Sequence, residues 1–448
     1  MKKLSFSILF FLSSAIVFAQ SATTDTVHMG LQQCLDYAYE HQNDMKNAQL
    51  DAEISQRRSQ EYTGIGLPQV SGKADFTDFL KLPTSLIPAE FFGGEPGTFV
   101  PLQFGTQYNA TIGATAQQLV FDGRYFLGLK ATKALSDLGQ KNVKRTKIET
   151  AEGVMKAYLT TLITFKRAEE LNVNIASFKQ TYDNTQALYK SGFVEKIDVD
   201  RIAVSYNNLL AEKERTDKFK VLSIYTLKFQ MGMDVNQPLA LTDTLREADF
   251  QSVLQNAATP DINNRIEYQM LLTSKSLAKM NMQQYRFGYL PSLYAIGSVN
   301  WQAQRNKFDF FQGGDWYNTA FVGFTLNVPI FDGFQKARQI QQAKLGMQQN
   351  ENNILNFQNA MNLQVTSAKA SMQNAIQALI VQKSNLDLAN EIKTISKKKF
   401  ELGVGTSLEV TDAETSFKDA QTNYLNALYD AWVARLDLEK SLGTLVKQ

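Results

Sequence analysis

The sequence has very few of the residues that build disulfides and metal sites. Its 448 residues include one cysteine, Cys34, and two histidines, His28 and His41. One cysteine cannot form an intramolecular disulfide, and with only two histidines a Cys/His metal cage is excluded by counting. The sequence also has no phosphate-binding glycine loop followed by Lys-Ser/Thr and no nucleophile motif. It therefore predicts no metal site, no cofactor and no enzyme activity.

Proline, glycine and unbalanced charge are also scarce. The chain has nine prolines and 25 glycines, and most of them are concentrated in a few places. Because these residues stop helices and strands, their scarcity indicates long uninterrupted elements. The 46 basic and 44 acidic side chains nearly cancel, so net charge gives no reason to expect nucleic acid as a partner.

Long apolar runs are absent beyond the N-terminus. Residues 1–19 have the form of a signal peptide: two lysines, an apolar run from Leu4 to Phe18, and a cleavage pattern ending at Ala19. The residue directly after that site is Gln20 rather than a cysteine, so we expect no lipoprotein-type anchor. Since no later run reaches the roughly 18 residues of a membrane helix, a membrane-spanning form of this chain has to span as β-strands.

The mature sequence contains an internal duplication, which predicts two structural repeats. Residues 20–232 form the first repeat and residues 263–448 the second. Landmarks recur in the same order in both copies: Leu67-Pro68 and Leu290-Pro291, Phe121-Asp122-Gly123 and Phe331-Asp332-Gly333, Tyr189 to Gly192 and Phe400 to Gly403. We expect Pro68, Gly123, Pro291 and Gly333 to mark the junctions between strands and helices.

Each repeat is predicted to contain a long antiparallel helical hairpin, over 124–232 in the first copy and 335–442 in the second. A shorter helix is expected over 31–64. In the first hairpin, apolar residues recur at alternating spacings of three and four, which is typical of coiled coils: Ile148, Ala151, Met155, Tyr158, Leu162 and Phe165. Taken alone, these helices favour a soluble coiled-coil rod or bundle core.

Four segments alternate apolar and polar residues, near 69–79, 106–120, 291–302 and 319–330. The apolar members are Val70, Ala74 and Phe76, then Tyr108, Ala110, Ile112, Ala114 and Ala116, then Leu293, Ala295, Val299 and Trp301, then Val322, Phe324, Leu326 and Val328. Period-two alternation over about ten residues is typical of transmembrane β-barrel strands, although a sheet on a soluble core shows it too.

The number of strands decides what a membrane form would require. Four strands are too few to close on themselves, and lipid offers no water to hydrogen-bond an open sheet edge. A barrel therefore demands several chains: two give eight strands and a filled interior, whereas three give 12 and room for a lumen. Long loops over 80–105 and 303–318 carry aromatic residues suited to the lipid-water interface.

With these features the chain resembles the TolC-like outer-membrane efflux family over nearly its whole mature length. The hairpin tips are the most specific part of the resemblance. Residues 192–199, Gly-Phe-Val-Glu-Lys-Ile-Asp-Val, are similar to the family's first tip, and residues 403–413, Gly-Val-Gly-Thr-Ser-Leu-Glu-Val-Thr-Asp-Ala, to its second.

The resemblance implies a fold that is mainly α with a transmembrane β-barrel: a homotrimer with a shared 12-strand barrel in outer-membrane lipid and a 12-helix periplasmic α-barrel. It also implies an equatorial linker near 233–262 and a second equatorial segment at the C-terminus. The implied function is the exit duct of a tripartite efflux or type I secretion system, a passive conduit driven by an inner-membrane transporter through a periplasmic adaptor. A periplasmic coiled-coil adaptor or scaffold protein is the alternative.

The resemblance further assigns residues to a periplasmic gate. Glu409 and Asp412 match an acidic ring, and three copies would bring six carboxylates together that attract cations. Phe400 stands at the gate's aromatic position, where it lacks a hydroxyl, and Gly405 stands at the gate's basic position, where it lacks a guanidinium. Asp198 would lose those partners, so we expect this duct to be latched differently or more loosely. A solvated helix start is the alternative interpretation of the two acids.

Apolar residues at the two tips are candidates for adaptor docking, because exposed apolar tips suit helix-hairpin contacts. Simple turn packing is the alternative for them. The candidates are Leu188, Gly192, Phe193 and Val194 in the first tip, with Leu402, Gly403 and Val404 in the second.

Overall fold

The computed structural model describes residues 26–255 and 261–446, so the predicted signal peptide over residues 1–19 lies outside the described residues. The helices are α1 Leu31–His41, α2 Asn43–Gly64, α3 Gly123–Lys190, α4 Lys196–Met231, α5 Phe250–Gln255, α6 Ile266–Phe287, α7 Gln335–Glu401 and α8 Ser407–Leu442. The strands are β1 Val27–Met29, β2 Gln69–Asp78, β3 Thr84–Pro88, β4 Phe99–Gln103, β5 Tyr108–Phe121, β6 Leu239–Leu241, β7 Ser292–Arg305 and β8 Tyr317–Asn327.

Strands β2, β5, β7 and β8 form one antiparallel sheet in that order. The register places Ala114 opposite Val299 and Val299 opposite Ala320, whereas Thr111 lies opposite Gln302. Since residues directly opposite each other share a face, the apolar members of all four strands lie on one side and the polar members on the other. The alternation predicted from sequence is therefore confirmed, apart from Val328, which follows the end of β8.

The outer strands of this sheet are open. Every residue of β2 is exposed, and so is every residue of β8 except Gly323. Within the described residues neither strand has a partner on its outer side, since the sheet begins at β2 and ends at β8. The sheet of a single chain is thus an open sheet with two unpaired edges within the described residues.

The helices form a row beside the sheet. Helices α3 and α7 have 68 and 67 residues, so each is roughly 100 Å long at about 1.5 Å per residue. Helix α3 packs against α4 and α8, and α8 packs against α3 and α7, which gives the order α4, α3, α8, α7. Nearer the sheet, α2 and α6 take the places of α4 and α8 beside the two long helices.

None of the helices in residues 26–255 and 261–446 is both long and apolar enough to cross a membrane.

A small mixed region surrounds the middle of the helical row. Strands β1 and β6 pair in parallel there, and Asp243 follows β6. The Asp243 carboxylate accepts hydrogen bonds from Tyr158 Oη at 2.7 Å and from Leu31 N at 2.9 Å. Because Gly30 has no side chain to cap α1, Asp243 satisfies the first turn of that helix from outside. These hydrogen bonds lower the pKa of Asp243, and Tyr158 makes the largest contribution.

Two features differ from the sequence-based expectation. The prediction of one helix over 31–64 is wrong, because the structure has two helices there, α1 and α2, separated at Gln42. The Gln42 side chain accepts a hydrogen bond from Met45 N at 3.0 Å and caps the start of α2. Gly232 packs so closely there that an added Cβ would lie 2.7 Å from Gln42 Cα. The segment 80–105, which was predicted as a long loop, contains regular structure, because β3 and β4 form a separate hairpin in it.

The Tyr158 hydroxyl provides a test of the middle region. Tyr158 is 1% exposed and its pKa is raised by burial and by the hydrogen bond to Asp243. We expect Tyr158→Phe to lower the free energy of unfolding by about 1.5–3 kcal/mol, because a hydrogen bond to a charged group is lost. The thermal unfolding midpoint of the detergent-solubilised protein measures this. Tyr206→Phe is the control, since that hydroxyl makes no hydrogen bond within the described residues; equal midpoints for the two variants would contradict the assignment.

Candidate functional site

The first hairpin tip turns between α3 and α4 through a left-handed glycine. Gly192 has φ +77°, a conformation that strongly favours glycine, and Phe193 N donates to Leu188 O at 3.0 Å to close the turn. Phe193 is 79% exposed, whereas Leu188 and Val194 are half-buried. The tip therefore presents one large aromatic side chain to its surroundings.

The second tip repeats this geometry between α7 and α8. Gly403 has φ +76°, and Val404 N donates to Lys399 O at 3.0 Å. Leu402 and Val404 are 78% and 76% exposed. Both tips thus place apolar side chains outside the helical core, at the same end of the molecule.

Gly405 is glycine for a steric reason. A Cβ at this position would lie 2.9 Å from Lys399 Cβ and 3.0 Å from Phe400 N, closer than real side chains approach. The turn therefore leaves no room for a long basic side chain at Gly405, whose absence the sequence analysis noted. Phe400 is half-buried behind the same turn.

Asp198 joins the two tips. Its Oδ1 atom accepts from Ser407 Oγ at 2.6 Å, and Arg201 Nη1 lies 3.5 Å from the same oxygen. Its Oδ2 atom accepts from Glu195 N at 3.3 Å, which caps α4. Asp198 therefore has partners, but they differ from the aromatic and basic ones of the family resemblance. Sequence reasoning missed Ser407, which stands at the first turn of α8.

Glu409 and Asp412 lie in the first two turns of α8. Thr406 caps this helix through a hydrogen bond from Glu409 N to Thr406 Oγ1 at 3.2 Å. Both carboxylates are exposed, and neither makes a hydrogen bond or ion pair within the described part of the chain. Their charges are thus free to act on ions or on other chains.

A groove separates the two tips and brings most of the docking candidates together. It has a volume of about 550 Å³ and opens to solvent. Its lining includes Leu188, Phe193, Val194, Phe400, Gly403 and Gly405. Leu402, Val404 and Gly192 lie outside this lining.

The four predicted junction residues stand where strands and helices meet. Pro68 and Pro291 directly precede β2 and β7. Gly123 is the first residue of α3, and a Cβ there would lie 3.0 Å from Leu290 Cδ1, so it lets the two repeats approach. Gly333 differs, because it and Phe334 both adopt left-handed φ values, of +64° and +65°, before α7 starts.

A polar seam, which sequence reasoning missed, joins the two hairpins where α3 packs on α8. Its members on α3 are Thr160, Arg167, Glu170, Asn174, Ser177 and Thr181, and those on α8 are Glu414, Gln421, Asn426 and Tyr429. Arg167 bonds Asn426 at 2.6 Å, and Asn174 bonds Gln421 at 2.8 Å. The seam holds hairpin one to hairpin two by specific contacts rather than by apolar packing alone.

The two outer helices of the row carry exposed apolar stripes. On α7, Val381, Leu388 and Ile395 are exposed at a spacing of seven, and on α4, Leu222 and Phe229 are exposed at the same spacing. A heptad spacing indicates a surface that packs against another helix. Reading the coiled-coil pattern on α7 as well as on α3 would have found it.

Within the described ranges, no cluster of three His, Cys, Asp or Glu residues is arranged to hold a metal ion.

Comparisons with known proteins find similarity to outer-membrane efflux and secretion proteins. Residues 269–444 match the family model for "Outer membrane efflux protein". The chain is 24% identical over 304 residues to the "Outer membrane protein TolC" of Vibrio cholerae, covering 66% of this chain and 68% of that protein. It is 21% identical over 338 residues to the "Alkaline protease secretion protein AprF" of Pseudomonas aeruginosa, covering 73% and 68%.

The fold is similar to that of solved outer-membrane channels. The crystal structure of VceC from Vibrio cholerae superposes with a TM-score of 0.72 at 15% identity, covering 92% of this chain and 96% of that one. The predicted fold class, mainly helical with a β domain, is therefore confirmed.

The family consists of outer-membrane channels rather than enzymes, which places the chain in the outer membrane of a Gram-negative cell as an exit duct. The family-model match over residues 269–444, the relatives and the shared fold all indicate an outer-membrane efflux protein of the TolC family.

Proposed function

We propose that three copies of this chain form a passive conduit in which each contributes four strands to a shared barrel and four helices to a periplasmic tunnel. The observation that carries the proposal is the sheet with one apolar face and two fully exposed edge strands, β2 and β8. In lipid an unpaired backbone edge costs several kcal/mol per group, so β2 of one copy pairs with β8 of the next.

The helical row supports the same assembly. Its two outer helices, α4 and α7, carry the exposed apolar stripes, so a neighbouring copy buries α4 against α7 in the same rotation that pairs β2 with β8. The apolar face of the sheet then meets outer-membrane lipid, and the polar face lines the lumen. Three copies give 12 strands, enough for an open bore.

The exposed carboxylates of Glu409 and Asp412 are the proposed selectivity element. Three copies bring six such groups to the inner end of the tunnel, where they attract cations and repel anions. Phe400 and Gly405 form the turn behind them, and Asp198 bonded to Ser407 is the proposed latch between the tips.

The groove between the tips is the proposed adaptor-docking surface. Leu188, Phe193 and Val194 on one side and Gly403 on the other offer an apolar cleft for a helical hairpin. The exposed side chains of Leu402 and Val404 extend this surface, and Gly192 shapes its first turn. An inner-membrane transporter bound through that adaptor supplies the energy and selects the cargo, in efflux or in type I secretion.

Ion selectivity tests the conduit and its acidic ring. We expect the protein in planar bilayers to conduct with a preference for K⁺ over Cl⁻, and Glu409→Gln with Asp412→Asn to lower that permeability ratio several-fold, because the charge at the constriction is removed. The matched control is Glu214→Gln with Asp217→Asn, two exposed acids at the same spacing on α4. Absence of any channel current would contradict the conduit, and an unchanged ratio in the first double variant would contradict the ring.

The latch has its own test. Ser407→Ala removes the 2.6 Å hydrogen bond to Asp198. A hydrogen bond to a charged group contributes about 1.5–3 kcal/mol, so we expect the open-to-closed ratio of single channels to rise by about tenfold or more. Thr415→Ala is the control, since that hydroxyl bonds only Thr411 O within α8. If both variants open as rarely as the wild type, Ser407 does not hold the tips together.

A further inference from the structure

A buried acid lies in the polar seam, where it has no part in the proposed acidic ring. Glu414 is on α8 at the contact with α3, and it is 3% exposed. Its Oε1 atom accepts from Ser177 Oγ at 2.8 Å and from Thr181 Oγ1 at 3.3 Å. Its Oε2 atom is buried and has no hydrogen-bond partner within the described residues. A carboxylate with one oxygen unsolvated and unpartnered is costly, so this arrangement suits the neutral acid.

The charged groups that act on Glu414 all come from α7, the other helix of its own hairpin. They are Lys397 and Lys393. From α3, the Ser177 and Thr181 hydroxyls bond the carboxyl, and Glu170 of that helix acts on Lys393. Lys397 Nζ donates to Gln180 Oε1 at 2.8 Å, which ties α7 to α3. Lys393 lies 3.4 Å from the centre of the Phe417 ring, and burial lowers its pKa.

We infer that Glu414 is a proton-controlled tie between the two helical hairpins, and that its ionisation loosens the α3–α8 contact beside the inner end of the duct. When Glu414 is neutral, it is held by two hydroxyls of α3, and Lys397 is held by Gln180 of α3. Both contacts then link hairpin two to hairpin one. When Glu414 loses its proton, the proton goes to solvent, and the charge on the buried carboxylate with its unpartnered Oε2 costs more than the hydrogen bonds from the two α3 hydroxyls recover. The carboxylate also attracts Lys397 and Lys393, which belong to its own hairpin. Lys397 thereby leaves Gln180, and the link to α3 weakens.

The direction of the pH effect follows from burial. Desolvation raises the pKa of Glu414 above its ordinary value of 4.5, against the opposing hydrogen bonds of Ser177 and Thr181 and the charges of the two lysines. A carboxyl whose pKa is raised in the folded state contributes stability that is fully present below the ordinary value. That stability is lost as the pH rises through the raised pKa. The hairpins are therefore held most firmly at acidic pH and separate more readily as the pH increases.

The test compares pH profiles, which a merely structural role would not change. Glu414→Gln keeps the shape of the side chain and its acceptor oxygen but cannot ionise. Amide hydrogen exchange over 174–185 and 407–421, corrected for the intrinsic pH dependence of exchange, reports how firmly the seam is held. We expect protection in the wild type to fall severalfold between pH 4.5 and pH 8. Glu414→Gln should keep its acidic-pH protection throughout. Asp419→Asn, an exposed acid of the same helix, should follow the wild type.

Channel recordings give the second measurement, and this one rests on the proposed function. The open fraction of wild-type channels should rise with pH, whereas that of Glu414→Gln channels should not. The same comparison is repeated in proteins that also carry Glu409→Gln and Asp412→Asn, because those changes remove any titration of the acidic ring. A wild-type pH profile in Glu414→Gln, in exchange or in current, overturns the inference. If no variant conducts, the proposed conduit fails, while hydrogen exchange still decides the role of Glu414.

Discussion

Backbone hydrogen bonding at the edges of the sheet is the constraint on which the rest of the molecule depends. Each chain supplies only four strands, and its two outer strands, β2 and β8, expose their backbone along their full length. Water can satisfy those groups, but lipid cannot. In the proposed trimer, other copies complete the sheet, and the closed wall encloses a bore because 12 strands are too many for side chains to fill.

In the proposed assembly, the long helices continue the same rotation into the periplasm. Because α3 begins directly after β5 and α7 begins a short connection after β8, the sheet positions the helical row, and the exposed stripes on α4 and α7 lie on the outer helices of that row. Inside one chain, in contrast, the two hairpins are joined by the polar seam between α3 and α8. Polar contacts of this kind fix a register but are individually modest, so the seam can be rearranged where apolar packing would resist.

Local signals in the sequence were enough for the main elements. The glycines at the tips, the proline before each outgoing strand and the period-two alternation predicted the helical hairpins and the shared apolar face of the sheet. The break at Gln42 could not be predicted, because it depends on the close approach of Gly232, nearly two hundred residues away in sequence. The β3–β4 hairpin was missed for a related reason, since its short strands are interrupted by prolines and pair only with each other.

The candidate site, like the fold, could be predicted from the sequence only in part. Sequence placed Asp198, Glu409 and Asp412 at the tips, but it could not give the Ser407 bond or the steric reason for Gly405, which both depend on how two turns approach each other. The burial of Glu414 could not be predicted, for a further reason. One acid on a helix gives no sign that it is buried, and only the packing of α3 against α8 removes it from water.

The most direct test of the account is disulfide crosslinking between the sheet edges in cells. Two tagged copies are expressed together, one with a cysteine at successive positions of β2 and the other at successive positions of β8; native Cys34 is buried and serves as background. The account predicts crosslinks between the two different copies, at alternate positions that share a face. A single chain that carries both cysteines is the comparison. Absence of crosslinks between the two tagged copies, together with a crosslink inside the double-cysteine chain, would contradict the account, because the sheet would then close on itself and enclose no shared bore.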